Sequence, residues 1–370
     1  MKKLFALLLA AAILCGCCLA AQNEDYGELA HQAAEGMRQL AGCGRALLSD
    51  QEAMPAGTSV CDWAAFAFAL AGEKDDYGAY GKALEQYVTQ AYADQGGLDT
   101  VKATQWHQVA LTVLALGGDP RAFGTDTNGE PIDLIADGTY AYAGQALGQQ
   151  GLNGWIFALI TLDAKNYETP EGCRYTRQDI LDAILGAQDD DGGFGLEQGA
   201  SDVDITAMAL QALAPYAGNQ AAQAVERALE YLSAQQAPDG AFINYGQENA
   251  ESTAQVVIAL CALGADTQGD TRFVKNGQNA VDGLLRFRRT DGTFVHQMSD
   301  TSGDFIATEQ AMIALLALNK ESGGGGSIYD LTGYNPPAAY SGKTFIIIGL
   351  GAAAIAAAVY IVVVKRRKHG

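Results

Sequence analysis

The sequence is poor in the residues that build metal centres and nucleic-acid interfaces. Its 370 residues include 4 histidines, 7 cysteines and 3 tryptophans, and 23 basic residues stand against 43 acidic ones. A net charge of −20 repels phosphate backbones, which argues against a nucleic-acid partner. None of Cys43, Cys61, Cys173 and Cys261 belongs to a C-x-x-C pair, and no Cys/His cluster has zinc spacing, so the sequence predicts no metal site and no cofactor.

Long uncharged apolar runs are confined to the two ends of the chain. Lys2 and Lys3 precede an apolar run in the manner of a signal peptide, so we predict removal of residues 1–21, with lipid attachment at Cys17 as the open alternative. Residues 344–364 carry no charge and are long enough to span a bilayer. The basic residues 365–370 should stay in the cytoplasm. The sequence therefore predicts a single-pass protein of the cell membrane with an extracellular ectodomain.

Between these ends, one unit of sequence recurs. Residues 188–194 read QDDDGGF, a turn in which glycine supplies a positive φ and the phenylalanine is buried. A helix with Ser201, Asp202 and Asp204 as N-cap candidates follows this turn. Similar turns recur at residues 236–242 and 291–294, and Ala/Leu-rich helices end at Leu70, Leu116, Leu162, Leu213, Leu263 and Leu318. A period of about 50 residues is typical of a repeat architecture.

The Q-x-x-D-G-x-F turn and the D-x-D-x-T-A-x-A-L helix resemble the prenyltransferase and squalene-oxidase repeat. Residues 202–207, DVDITA, also resemble the D-x-D-D-T-A acid motif of squalene and hopene cyclases. The resemblance implies an all-α fold, an (α/α)6 toroid of six inner and six outer helices over residues 22–320. Residues 321–343, rich in Gly, Ser and Pro, then form a linker to the membrane span. The outer helices are expected at residues 24–48, 80–92, 132–147, 177–188, 220–235 and 278–287.

In such a toroid the inner helices run parallel, so residues at their N-termini meet at one rim. Polar and aromatic side chains at these positions are the candidate ligand-binding residues: Trp63, Trp106, His107, Trp155, Glu251 and Asp304. A structural role is open for each of them. Aspartate at a helix start contributes about 1 kcal/mol as an N-cap, and buried tryptophan often serves packing alone.

The cyclase resemblance offers Asp202 and Asp204 as catalytic candidates, with the family's acid at Asp204. Ile205 occupies the place of the motif's third aspartate. An isoleucine cannot share a proton, so the crowding of carboxyls that keeps one of them protonated is reduced. The main interpretation is therefore an extracellular module that binds a small molecule or a surface protein. The alternatives are a terpenoid cyclase or prenyltransferase-like enzyme and a structural surface spacer.

Four cysteines follow the predicted signal peptide: Cys43, Cys61, Cys173 and Cys261. An extracellular location permits disulfides, and four cysteines allow three pairings. The sequence does not choose among them.

Overall fold

The computed structural model describes residues 25–337, and their regular structure is almost entirely helical. The twelve α-helices of this part are α1 (Tyr26–Leu40), α2 (Ser59–Ala71), α3 (Tyr77–Gln95), α4 (Thr104–Ala115), α5 (Leu134–Gly138), α6 (Asn153–Asp163), α7 (Arg177–Gly186), α8 (Val203–Leu213), α9 (Ala222–Ala234), α10 (Ala250–Leu263), α11 (Ala280–Leu285) and α12 (Phe305–Ser322). Two short strands, β1 (Ile243–Asn244) and β2 (Gln247–Glu248), pair antiparallel before α10.

The even-numbered helices form a closed inner ring. Each of them contacts the next along the chain, and α12 returns to contact α2. The odd-numbered helices pack outside this ring: α3, α5, α7, α9 and α11 each lie against the inner helix that precedes them, and α1 lies against α12. This alternation is the one that the sequence repeat predicts.

The predicted signal peptide, membrane span and basic tail lie outside the described residues. Among residues 25–337, no helix combines the length and the apolar character needed to cross a membrane.

In the three C-terminal repeats, the turn is fastened to the start of the following inner helix. Gly192, Gly240 and Gly292 have φ angles of 90°, 92° and 84°, as the sequence predicts for these turns. The phenylalanine after each turn donates its backbone N–H to a threonine hydroxyl of the helix, at 2.8, 3.1 and 2.9 Å; the pairs are Phe194 with Thr206, Phe242 with Thr253 and Phe294 with Thr308. The recurring D-G-x-F and threonine positions are therefore two halves of one contact.

Gly192→Val is expected to lower the free energy of unfolding by roughly 2–4 kcal/mol, because it adds both backbone strain and a collision. A Cβ at Gly192 would lie 2.6 Å from the carbonyl oxygen of Arg227. Gly199 is the matched control, since its φ is 86° but a Cβ there would meet nothing within 4 Å. Denaturant unfolding of Gly192→Val and Gly199→Val separates the two effects. Equal losses of unfolding free energy in both variants would show that the collision with the Arg227 carbonyl oxygen contributes nothing to the destabilisation.

Some predicted outer helices are shorter in the structure than in the sequence analysis. The helix expected at residues 132–147 is reduced to α5, which ends at Gly138. Gly138 lies against α4 so closely that a Cβ there would be 2.5 Å from the Cβ of Trp106. The outer helix expected at residues 24–48 ends at Leu40, and a 3-10 turn at Leu47–Ser49 follows.

The chain re-enters the ring after α12. The sequence analysis assigned residues 321–343 to a linker, but residues 326–334, which we call the strap, pack across the C-terminal end of the ring. Ile328, Tyr329 and Leu331 are at most 6% exposed. Burial of these three apolar side chains stabilises a segment that its neighbouring glycines would otherwise leave free.

The strap also pairs backbone groups that helices leave unpaired at their C-terminal ends. The backbone N–H of Leu331 donates to the carbonyl oxygen of Ala164, just after α6, at 2.9 Å. The hydroxyl of Tyr334 lies 2.8 Å from the carbonyl oxygen of Ala69 in α2 and 3.1 Å from that of Ala115 in α4. The strap therefore joins the ends of three neighbouring inner helices.

The four cysteines of the described part are all unpaired thiols. Cys61 and Cys261 are buried, whereas Cys43 and Cys173 are partly exposed. Burial raises the pKa of Cys61 and of Cys261. The disulfides that the sequence permits are therefore not formed in this structure.

Candidate functional site at the amino-terminal mouth of the ring

Contacts between the loops show that the inner helices begin at one end of the ring. The backbone N–H of Leu152, before α6, donates to the carbonyl oxygen of Leu196 in the loop before α8, at 3.0 Å. The backbone N–H of Ala250 in α10 donates to the carbonyl oxygen of His296, in the loop before α12, at 3.1 Å. We call this end of the ring the N-terminal mouth.

Two of the predicted site residues are N-caps. The Asp202 carboxylate accepts the backbone N–H of Ile205 at 2.9 Å, and the Asp304 carboxylate accepts that of Ala307 at 2.9 Å. Each satisfies a donor that a helix start leaves free, which is the structural role the sequence analysis left open. Asp204 lies two residues further along the chain, in the first turn of α8 itself.

Three other predicted residues turn away from the ring axis. The indole N–H of Trp106 donates to the hydroxyl of Tyr92 in an outer helix at 2.8 Å. His107 is fully buried, with Nε2 2.5 Å from a carbonyl oxygen of α5, and burial lowers its pKa to about 4. Trp155 packs edge-on against Tyr175, which precedes α7, with ring centroids 5.1 Å apart. These side chains join the two helical layers, and these contacts point them away from the ring axis.

Counting from the N-caps identifies the residues that face the ring axis. The fifth residue after each inner-helix N-cap is one of Trp63, Gln108, Phe157, Ala207, Ala254 and Glu309. The rings of Trp63 and Phe157 lie 5.8 Å apart, although α4 separates their helices in the ring. Two side chains can meet in this way only across the axis, so Trp63 and Phe157 face it.

One side of the mouth is acidic. Glu309 is 3% exposed, and its carboxyl makes no hydrogen bond within residues 25–337. Burial, and then the charge of Glu251, raise the pKa of Glu309 to about 8. Burial also raises the pKa of Glu251, even though its carboxylate lies 2.8 Å from Nδ1 of His296. Burial likewise raises the pKa of Asp204.

The other side of the mouth is aromatic and ends on the strap. Trp63 and Phe157 are half-buried. The ring of Tyr329 lies 5.8 Å from that of Phe66 in a stacked arrangement and 6.1 Å from that of Trp63. Burial raises the pKa of the Tyr329 hydroxyl. Tyr329, in contact with Trp63, therefore lies at the ring axis on its aromatic side.

A known protein family matches the second half of the ring. A family model described as the squalene-hopene cyclase C-terminal domain matches residues 198–310, which include Asp204 and Glu309. A drimenyl diphosphate synthase from Streptomyces showdoensis is 33% identical over 141 residues, which are 38% of this chain and 25% of that relative. The chain therefore aligns with a quarter of the length of this curated relative.

Two solved structures resemble the whole ring. The structure of the protein geranylgeranyltransferase-I of Candida albicans, complexed with GGPP, aligns with 81% of this chain over 93% of its own length. The TM-score is 0.54 and the sequence identity is 11%. The structure of a type II terpene cyclase from Scytonema aligns with 80% of this chain over 99% of its own length, with a TM-score of 0.50 and a sequence identity of 14%. The chain is a terpene cyclase/prenyltransferase-like α/α toroid.

In this toroid the acidic side of the mouth lies within the matched family segment, whereas Trp63 and Phe157 lie outside it. Sequence reasoning singled out Asp204, Glu251 and Trp63 but missed Glu309 and Phe157. The signal for Glu309 was present, since it is the only charged residue between Ala307 and Leu318. A buried carboxyl that holds its proton at neutral pH can donate it, and aromatic faces can stabilise a cation formed nearby.

Proposed function

We propose that the toroid is an acid-dependent enzyme of the terpenoid cyclase type, in which Glu309 protonates an unsaturated apolar substrate held against Trp63 and Phe157. The observation that carries this proposal is the Glu309 carboxyl, which is buried at the ring axis and has no hydrogen-bond partner within the described part of the chain. The family match over residues 198–310 and the name of the terpenoid-forming relative support it.

The chemistry is a proton transfer followed by ring closure. The O–H bond of Glu309 breaks as the π electrons of an alkene form a C–H bond, which leaves a carbocation on the adjacent carbon. A second alkene of the same molecule attacks this carbon. The cyclised cation then loses a proton to water, and solvent that enters at the mouth reprotonates Glu309. Trp63 and Phe157 offer the aromatic faces that favour the cationic intermediates.

We expect the purified full-length chain to convert a polyprenyl substrate to a cyclised product, and Glu309→Gln to abolish the product. Squalene and prenyl diphosphates are suitable substrates, with products identified by mass spectrometry. Glu230→Gln, an exposed change on outer helix α9, is the control and should retain activity. Asp204→Asn tests the alternative acid. If Asp204→Asn abolishes the product and Glu309→Gln does not, the acid is the residue that the cyclase motif indicates.

A second candidate function is a binding module without turnover. The observation that favours it is Tyr329, which fills the ring axis where a long substrate would have to lie. Ile205 in place of the motif's third aspartate favours it as well. The absence of product in every variant, together with saturable binding of an apolar molecule that Trp63→Ala removes, would establish this function in place of the enzyme.

We also propose that the ring is exported and tethered to the outer face of the cell membrane through residues 344–364. The charge pattern of the two chain ends supports this topology. Protease treatment of intact cells should degrade the ring and spare the tail after residue 364. Protection of the ring until lysis would contradict the proposal.

A further inference from the structure

The end of the ring opposite the mouth contains a cavity that the sequence did not indicate. Its volume is about 620 Å³, and the strap forms part of its wall through Tyr329 and neighbouring residues. It lies at the C-terminal ends of α6, α8 and α10. Most of the wall is apolar, formed by Ile160, Ala164, Ala212, Ala214, Pro215 and Ala262. This volume is within the usual range for small-molecule sites.

One polar group in this wall lacks a partner. Gln211 is 2% exposed, and its Nε2 donates to the backbone oxygen of Gln255 at 3.1 Å and to its Oε1 at 2.9 Å. These bonds fix the orientation of the amide and leave Oε1 of Gln211 without any hydrogen bond. A buried acceptor in this state is destabilising until a donor reaches it.

The charged groups of the wall are already engaged. Asp163 forms an ion pair with Arg177, and the hydroxyl of Tyr216 lies 3.2 Å from both of its carboxylate oxygens. Asp330 is exposed and accepts the backbone N–H and the hydroxyl of Thr332. The cavity therefore combines apolar wall residues with one buried acceptor that has no hydrogen bond, and its buried charges are paired.

We propose that this cavity binds a neutral molecule with an apolar body and a single hydroxyl or N–H donor, which bonds to Oε1 of Gln211. The acidic residues of the mouth, Glu309, Glu251 and Asp204, are not part of this wall. Binding here does not depend on the proposed acid chemistry.

The test compares 2-naphthol with 2-methoxynaphthalene, which has the same apolar body but no donor. Their fluorescence anisotropy is measured against the full-length chain in lipid nanodiscs, with empty nanodiscs subtracted. We expect 2-naphthol to bind about tenfold more tightly, since a buried acceptor is left unpaired when the methyl ether binds. Equal affinities, or no binding of either probe, would overturn the proposal.

Three variants locate the effect. Gln211→Met should bring the affinity ratio of the two probes to within about twofold of one, because the acceptor is gone. Gln310→Met is the matched control: Oε1 of Gln310 bonds Gln255, but Gln310 does not line the cavity, so the ratio should be unchanged. Ala262→Phe should weaken both probes by filling the cavity. Binding that Ala262→Phe leaves intact would place the probes elsewhere and overturn the proposal, even if Gln211→Met failed to fold.

Discussion

At pH 8, Glu309→Gln is expected to stabilise the folded protein by roughly 3–5 kcal/mol more than it does at pH 4.5. Most core substitutions destabilise, so this effect has the opposite sign. Burial, together with the charge of Glu251, raises the pKa of Glu309 from 4.5 to about 8. Between these values the unfolded chain has released the proton and the folded chain still holds it. The folded state therefore loses stability as the pH rises from 4.5 towards 8. Glutamine keeps the shape of the protonated side chain and removes this loss.

The measurement is denaturant unfolding of the wild type and Glu309→Gln at several pH values from 4.5 to 8.5. The difference between the two proteins isolates Glu309, because the other titrating groups are common to both. Glu230→Gln, whose side chain is exposed on α9, should follow the wild type at every pH. If the wild type and Glu309→Gln lose stability in parallel as the pH rises, Glu309 is charged in the folded protein and cannot be the proposed acid.

Tyr329→Ala is expected to lower the free energy of unfolding by about 3–5 kcal/mol, the usual range for removing a fully buried aromatic side chain. Tyr329 is 5% exposed and stacks on Phe66. Its loss leaves a cavity at the ring axis and removes the main apolar anchor of the strap.

Tyr329→Phe is the matched control for this substitution. The hydroxyl of Tyr329 makes no hydrogen bond within residues 25–337, so its removal should change stability by less than about 1 kcal/mol. Thermal and denaturant unfolding of both variants measure the two effects. A loss below about 1 kcal/mol for Tyr329→Ala would mean that the strap does not depend on this side chain. Greater binding or turnover of an apolar substrate by Tyr329→Ala would show that the tyrosine limits access to the mouth.

The repeat and its turns could be predicted because their causes are local. Gly192 and Thr206 are only 14 positions apart. Wherever a glycine with positive φ and a threonine hydroxyl recur at such a spacing, they form the same contact between the turn and the helix. The period predicts a repeat architecture, since each unit needs its neighbours to bury its apolar face. The closed ring was implied by the resemblance to the prenyltransferase and squalene-oxidase repeat.

The interior of the mouth could not be read in the same way. Whether a tryptophan at a helix start faces the axis depends on its distance from the N-cap, and α4 and α6 begin without a side-chain cap that would mark this register in the sequence. Trp63 lies five residues after its cap and faces the axis. Trp106 and Trp155 lie only three residues after theirs and face outward.

The strap was hidden for a different reason. Residues 322–327 have the composition of a flexible linker, and the apolar and aromatic residues Ile328, Tyr329 and Leu331 follow within four positions. Their burial depends on partners more than 150 positions earlier in the chain, such as Ala164 and Phe66. Composition records none of these distant contacts.

The contact between α1 and α12 also determines the order in which the ring can form during synthesis. The hydroxyl of Tyr26, at the start of α1, lies 2.5 Å from Nε2 of Gln268, and a Cβ at Gly36 would be 2.9 Å from Thr293. α1, the first helix of the described part, meets the first repeat early, through the ion pair of Arg38 with Glu73 just after α2. Its packing against α12 forms only when the last repeat has been made. An open solenoid can gain stability one repeat at a time, but this ring is completed in a single late step, and contacts so distant in sequence favour slow folding.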